Sequence, residues 1–375
     1  MPGLLPNVDP DGLLEYSVVY TDRALNHMSQ TFQAVMRDSS ALLKEVYGAD
    51  GVAIVPGSGT FGMEAVARQF GTGKKCLVIR NGWFSFRWTQ IFEMGKIPSE
   101  SIVLKARQAK AKAQSAFAPC PIDEVVETIK TWKPAVVFAP HVETSSGMIL
   151  PESYIKAMAD AVHEVGGMLV IDCIASGTIW LDMKKLGIDA LISAPQKGWS
   201  ATPCCGLVML SALGVERTRN STSTSFACDL GKWLQIMEAY EKGGHAYHAT
   251  MPTDGIRVFH DMMLEAKAYD FEKLKAQQQA LGDKARAVLE GKGFPSVAAE
   301  GFKAPGVVVS FTSDPDLQSG KKFLAEGLQI AAGVPLQCDE RTDFRTFRIG
   351  LFGIDKLQNV DRTVASFAAA LNKLS

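Results

Sequence analysis

The chain has 375 residues, 47% of them hydrophobic and 21% charged, with a formal net charge of −1. That length can bury a full core and suits two domains, while the near-neutral balance provides no whole-protein field to attract nucleic acid or an anionic membrane. No apolar run is long enough to span a bilayer, and "MPGLLPNVDPDGLLEY" lacks a basic segment leading into a long apolar one, so neither a membrane span nor a secretory signal is expected.

Residues 1–20 read as an N-terminal arm. From about residue 30 to 210, short apolar runs alternate with helix-like stretches. "GVAIV", "CLVIR", "AVVFAP", "GMLVID" and "DALIS" read as buried strands. In the stretch "IKAMADAVHEV", Ile155, Met158, Val162 and Val165 are spaced three, four and three apart, which places them on one face of a helix. Alternation of this kind predicts an α/β fold: a large domain, residues 21–269, with a mostly parallel sheet covered by helices. After "TDGIRVFHDMMLEAKAY" come a helical segment through Leu274–Leu289, the strands "GVVVSFT" and "TFRIGLFG", and a terminal helix with Val364, Phe367, Leu371 and Leu374 on one face. These predict a smaller α+β domain over 270–375, joined by a long helix rather than a loose linker. The seven cysteines are scattered, odd in number and without a CxxC pair, which points to reduced thiols and a cytoplasmic location. The ending "NKLS" is not the Ser-Lys-Leu read by peroxisomal import.

In open α/β sheets, ligands bind beyond the carboxyl ends of the parallel strands, so the residues following each predicted strand matter most. "VAIVP" is followed by Gly57-Ser58-Gly59-Thr60 and a helix, and "CLVIR" by Asn81-Gly82-Trp83-Phe84. "VVFAP" leads to His141-Val142-Glu143-Thr144-Ser145, "LVI" to Asp172, and "ALIS" to Gln196-Lys197. Taken singly, each has an ordinary reading. "GSGT" before a helix offers backbone N–H groups to a phosphate or makes a tight turn; it is neither a Walker motif nor GxGxxG. Asp172 serves equally as a turn cap, Trp83 and Phe84 as core, and Lys197 as half of an ion pair. Together they fit pyridoxal 5′-phosphate, which needs a lysine for its Schiff base, an acid for its pyridine nitrogen, donors for its phosphate and apolar contact on its ring faces.

The stretches "GSGTFGMEA", "NGWFSFRW", "HVETSSGMILP", "VIDCIAS", "SAPQKGW", "YHAT" and "FRIGLFG", in this order and spacing, resemble the class V (fold type I) pyridoxal-phosphate aminotransferases, and in particular the alanine–glyoxylate and serine–pyruvate group. The resemblance runs from about residue 28 to the C-terminus. It implies the fold type I architecture and transfer of an amino group from a small amino acid, such as alanine or serine, to a small 2-oxo acid, glyoxylate or pyruvate. It also implies a homodimer with shared active sites. Carried over by position, Lys197 resembles the Schiff-base lysine and Asp172 the partner of the pyridinium nitrogen. Ser58, Gly59 and Thr60 resemble the phosphate loop, helped by Gln196. Phe84 stands where relatives stack an aromatic ring, often tryptophan, with Ile174 on the other face. Thr144 matches the hydroxyl near the phenolic oxygen. Tyr247 and Thr250 match a pair reaching the phosphate of the neighbouring subunit, and Arg348 matches the clamp for the substrate carboxylate.

The region "LLPNVDPDGLLEYSVVYTDRALNHMS" departs from the "Pro-Gly-Pro" start of many relatives, so Glu15, Tyr16, Tyr20 and Arg23 either reshape the pocket or belong to an arm packed on the dimer. Arg341 and Arg345 bind a second acidic group or form surface ion pairs, and Arg87, after the aromatic stretch, is open between the same readings. The six histidines show no HExxH; His245 and His248 fit a subunit-contact loop better than a metal site, and no metal is expected. The alternative function on this fold is a 2-aminoethylphosphonate-type transaminase or a lyase or desulfurase. The nearest cysteine for a desulfurase, Cys338, sits in "VPLQCDERTD", unlike the usual small-residue loop.

Overall fold

The computed structural model describes residues 11–374 except 109 and 111; the first ten residues of the expected arm lie outside that range. The five expected apolar runs are strands: β1 (Gly51–Pro56), β2 (Lys75–Arg80), β4 (Val136–Pro140), β5 (Met168–Asp172) and β6 (Ala190–Ser193). Each is too short for a stable helix and is buried along nearly its whole length, which favours pairing within a covered sheet. Two more strands, β3 (Glu100–Lys105) and β7 (Cys205–Leu210), complete a seven-stranded sheet in the order β1-β7-β6-β5-β4-β2-β3 among the described residues. All run parallel except β7, which lies antiparallel between β1 and β6. The pattern did not predict these two. β3 is a half-exposed edge strand, and the run in β7, CGLVML, sets Leu and Met around a single β-branched residue, a composition that equally suits a helix.

Helices α1 (Gln30–Tyr47), α2 (Gly59–Gly71), α3 (Trp83–Gly95), α4 (Ile122–Trp132) and α5 (Glu152–Glu164) alternate with these strands. α1 is stopped at both ends by local chemistry. The Ser29 hydroxyl accepts from the Phe32 N–H, and Gly48 takes a left-handed φ of 66° that closes the last turn. In α5 the expected face holds: Ile155, Met158 and Val162 are fully buried, while Val165 is the C-cap.

Beyond the sheet come α6 (Leu230–Glu241), α7 (Thr253–Tyr269) and α8 (Phe271–Gly291). α7 and α8 abut at Asp270, whose φ of 93° breaks the helix and whose carboxylate caps the next one through the Glu272 and Lys273 N–H groups. A second, antiparallel sheet follows: β8 (Val307–Phe311), β9 (Ala331–Ala332) and β10 (Thr346–Gly350), in the order β8-β10-β9. The terminal helix α9 (Val360–Leu371) packs on α8 and buries Phe367 and Leu371. Among the described residues no helix is long and apolar enough to cross a membrane.

Candidate active site

Register aligns the two chemistry-bearing strand ends. Asp172, the last residue of β5, pairs with Pro140 on one side and Ile192 on the other, five residues before Lys197. The turns that follow are pressed together. A Cβ on Gly198 would stand 1.9 Å from the Gly177 carbonyl oxygen, so only glycine at that position lets the lysine-bearing turn come this close to the aspartate-bearing one. Lys197 and Asp172 both open into one cavity of about 210 Å³, lined also by Ser58, Gly59, Thr60, Phe84, Thr144, Ile174 and Gln196. Arg87, Met63, Val142 and Ala175 complete the lining.

The electrostatics follow from burial. Asp172 is 7% exposed, and burial raises its carboxyl to about 7; the Ile174 N–H, donating at 2.9 Å, and the positive charges of Arg87 and Lys197 pull the other way, while Glu143 adds to the rise. Burial also pushes the Lys197 amine below its ordinary value, assisted by Arg348 and opposed by Asp172. The Lys197 Nζ lies 4.9 Å from the Phe352 ring centroid. His141, directly after β4, is buried and held neutral, its pKa lowered to about 3 by burial and by Lys275; its N–H donates to the Asp172 carbonyl at 2.8 Å.

At α2 the Ser58 N-cap makes no side-chain cap, and the N–H groups of Phe61 and Gly62 turn back to the Ser58 carbonyl. Those of Gly59 and Thr60 belong to the open first turn, where a helix favours an anion. At α3 the order is reversed: a protein carboxylate already occupies the terminus. Glu143, fully buried, accepts from the Phe84 N–H at 3.2 Å, from the Ser85 N–H and hydroxyl at 2.8 and 2.7 Å, and from the Ser145 N–H and hydroxyl at 3.1 and 2.7 Å. That network fixes the turn carrying Phe84. Two guanidinium groups lie near the Phe84 ring, with the Cζ of Arg87 at 5.2 Å and that of Arg348 at 5.6 Å from its centroid. Arg348, on β10, donates from Nε to the Ala332 carbonyl at 2.7 Å.

Other expected residues lie elsewhere. Tyr247 and Thr250 sit exposed on the loop between α6 and α7, joined at 3.2 Å, and do not line this cavity. Glu15 accepts from Asn26 and Ser17, Tyr20 donates to the Met251 carbonyl at 3.1 Å, and neither they nor Tyr16 and Arg23 line it. Arg341 pairs with Asp343 at 2.9 Å and Arg345 donates to the Ser313 carbonyl; both border a separate cavity beside Phe344. The pattern carried no assigned role for Arg87 or Glu143. For Arg87 a signal existed: it lies three residues after Phe84 on the same helix face.

The sequence profile of aminotransferase class-V matches residues 13–352. The chain belongs to this family. Among the relatives of this class-V chain is the 2-aminoethylphosphonate–pyruvate transaminase of Pseudomonas aeruginosa, 27% identical over 343 residues, covering 89% of this chain and 86% of the relative. Two solved structures share the fold. Alanine–glyoxylate aminotransferase from Nostoc sp. has a TM-score of 0.77 at 18% identity, covering 92% of this chain and 88% of its own. Ureidoglycine–glyoxylate aminotransferase from Bacillus subtilis has a TM-score of 0.76 at 19% identity, covering 96% and 88%. The fold is thus that of a fold type I transferase, and the chain is a class-V transaminase.

Proposed function

We propose that this cavity binds pyridoxal 5′-phosphate and that the enzyme moves the amino group of a small amino acid, such as alanine or serine, to a small 2-oxo acid, glyoxylate or pyruvate. The observation carrying this reading is that a half-buried amine and a buried carboxyl, Lys197 and Asp172, share one cavity with the open first turn of a thirteen-residue helix and an aromatic ring. The residues fit the group. Among the described residues Asp172 accepts from the Ile174 N–H alone, leaving its carboxylate without a contacting cation, and Ser58 makes no side-chain cap to the first turn of α2. When bound, the cofactor supplies an aldehyde carbon for amine exchange and a ring that accepts electrons from the substrate Cα.

The chain's own residues divide the rest. Lys197, its amine biased toward the neutral form, is the attachment point and then the base that takes and returns the Cα proton. Asp172 would accept from the ring nitrogen and so favour its protonated form. Ser58, Gly59, Thr60 and Gln196 would hold the phosphate, Phe84 and Ile174 would pack the ring, and Thr144 would hydrogen-bond the phenolic oxygen. Arg348 forks the substrate carboxylate, a geometry no lysine reproduces. Tyr247 and Thr250 reach the site of the neighbouring copy in a cytoplasmic homodimer. The chain divides into an arm (1–20), a large domain (21–269) and a small domain (270–375), and the break at Asp270 supports the second boundary. A desulfurase is disfavoured, because Cys338 is buried, its thiol donates to the Arg80 carbonyl, and burial pushes it up to about 12.

Borohydride treatment of the coloured protein followed by peptide mass spectrometry is expected to leave the cofactor on Lys197. Amino acids and 2-aminoethylphosphonate, supplied one at a time, should identify the donor by the change in cofactor absorption. Full transaminase turnover in Lys197→Ala would overturn the assignment.

A further inference from the structure

Arg87 follows Phe84 by three positions on α3, so the two side chains leave the helix on one face. Its Nη1 donates to the Thr60 hydroxyl at 2.8 Å, and its side chain lines the cavity holding Lys197 and Asp172. Among the described residues its polar partner is that hydroxyl and not a carboxylate. A half-buried guanidinium whose hydrogen-bond partner is a neutral hydroxyl has no carboxylate in contact with it at the cavity wall, and the chemistry that satisfies it is an anionic ligand.

Two anions are available in the proposed reaction, the cofactor's phosphate and a substrate acid. The bond to Thr60 decides between them. Thr60 belongs to the first turn of α2, where open N–H groups favour phosphate, whereas Arg348 comes from the second sheet and stands beside the Phe84 ring. The geometry points to Arg87 as a positioning residue for the cofactor's phosphate: it fixes the Thr60 hydroxyl in the first turn of α2 and adds a full positive charge where the helix supplies a partial one. Lys197, whose amine also lines the cavity, would be committed to the aldehyde end of the same molecule. This inference rests on the pyridoxal-phosphate reading above.

The test compares two probes on cofactor-free protein. Wild type, Arg87→Met and Arg87→Lys are titrated with pyridoxal 5′-phosphate and with pyridoxal, which lacks the phosphate, and the melting temperature of each apo-protein reports folding. Arg87→Met is expected to weaken pyridoxal phosphate by about 10–100-fold while leaving pyridoxal unchanged. Arg87→Lys should fall between, because an ammonium keeps the charge and loses the fork. Inorganic phosphate should compete with pyridoxal phosphate for wild type and far less for Arg87→Met. Equal weakening of both probes would mean a structural role and overturn the inference. So would unchanged cofactor affinity with a raised KM for dicarboxylic donors, which would move Arg87 to the substrate. If Arg87→Met does not fold, Arg87→Lys and Thr60→Val carry the same two-probe comparison. Failure of wild type to bind pyridoxal phosphate at all would end the cofactor reading itself, and is told apart by needing no variant.

Discussion

Asp172 is held at 7% exposure with its carboxyl raised to about 7, so in cofactor-free protein it weakens the fold wherever it is charged. Below its ordinary value of 3.8 the folded and unfolded chains are both protonated there, and Asp172 contributes nothing. As pH rises from 3.8 toward about 7 the unfolded chain releases the proton and the folded one keeps it, so stability is lost across that window. Above it the whole penalty stands, on the order of 2–4 kcal/mol. Asp172→Asn, which cannot ionise, should therefore melt above wild type at pH 8 and match it near pH 3.5 in the apo-state. Thermal melts whose difference does not grow with pH would contradict the burial argument. The same substitution should cut turnover by roughly 10²–10⁴-fold, since an amide cannot keep a ring nitrogen protonated. A carboxylate that costs stability at the wall of a cavity is what a functional group looks like.

The element that most depends on distant residues is the first turn of α3. Glu143 gathers five hydrogen bonds there, and the turn sits so close that a Cβ on Gly82 would meet the Ser145 Oγ at 2.0 Å and the Glu143 Cγ at 2.8 Å. Gly82→Ala should destabilise the protein by about 1–3 kcal/mol through overpacking and displace Phe84, read as a lower melting temperature and weaker cofactor binding. Glu143→Ala, which takes the carboxylate acceptor from the Phe84, Ser85 and Ser145 N–H groups, should cost at least as much, with Glu143→Gln between the two. If both variants melt like wild type, the cap is not what holds the platform. This turn also marks how far the sequence could be read. The strands ending in Asp172 and leading to Lys197 were legible because an unbroken apolar run stopped at a polar side chain, a local signal. Glu143 was not, because its partner Ser85 lies 58 positions away and only the fold brings them together. Arg87 and Thr60 are likewise 27 positions apart. β7 escaped because its run CGLVML sets Leu and Met, good helix formers, around a single β-branched residue; in the sheet it runs antiparallel to β6 across the turn that presents Lys197.

At the scale of the molecule, the question is why Tyr247 and Thr250 are exposed on a loop outside the cavity of their own chain. The proposed homodimer gives them a task, because a two-fold axis carries the same loop to the other copy's phosphate site. The arrangement has a consequence that a monomer cannot imitate. Let one chain carry Lys197→Ala with its loop intact, and another carry Tyr247→Phe and Thr250→Ala with its lysine intact. In the hybrid dimer, one site combines the lysine of the second chain with the loop of the first and is wild type throughout. The other site combines both defects. Each homodimer, by contrast, has two defective sites, so at limiting cofactor the co-expressed mixture should regain turnover that neither parent shows. Tagging the two chains differently and isolating the hybrid should give about half the wild-type activity per dimer, one intact site of two. Sedimentation of the wild-type holoenzyme as a monomer, or a hybrid no more active than its parents, would confine the loop to its own chain and remove the shared-site arrangement.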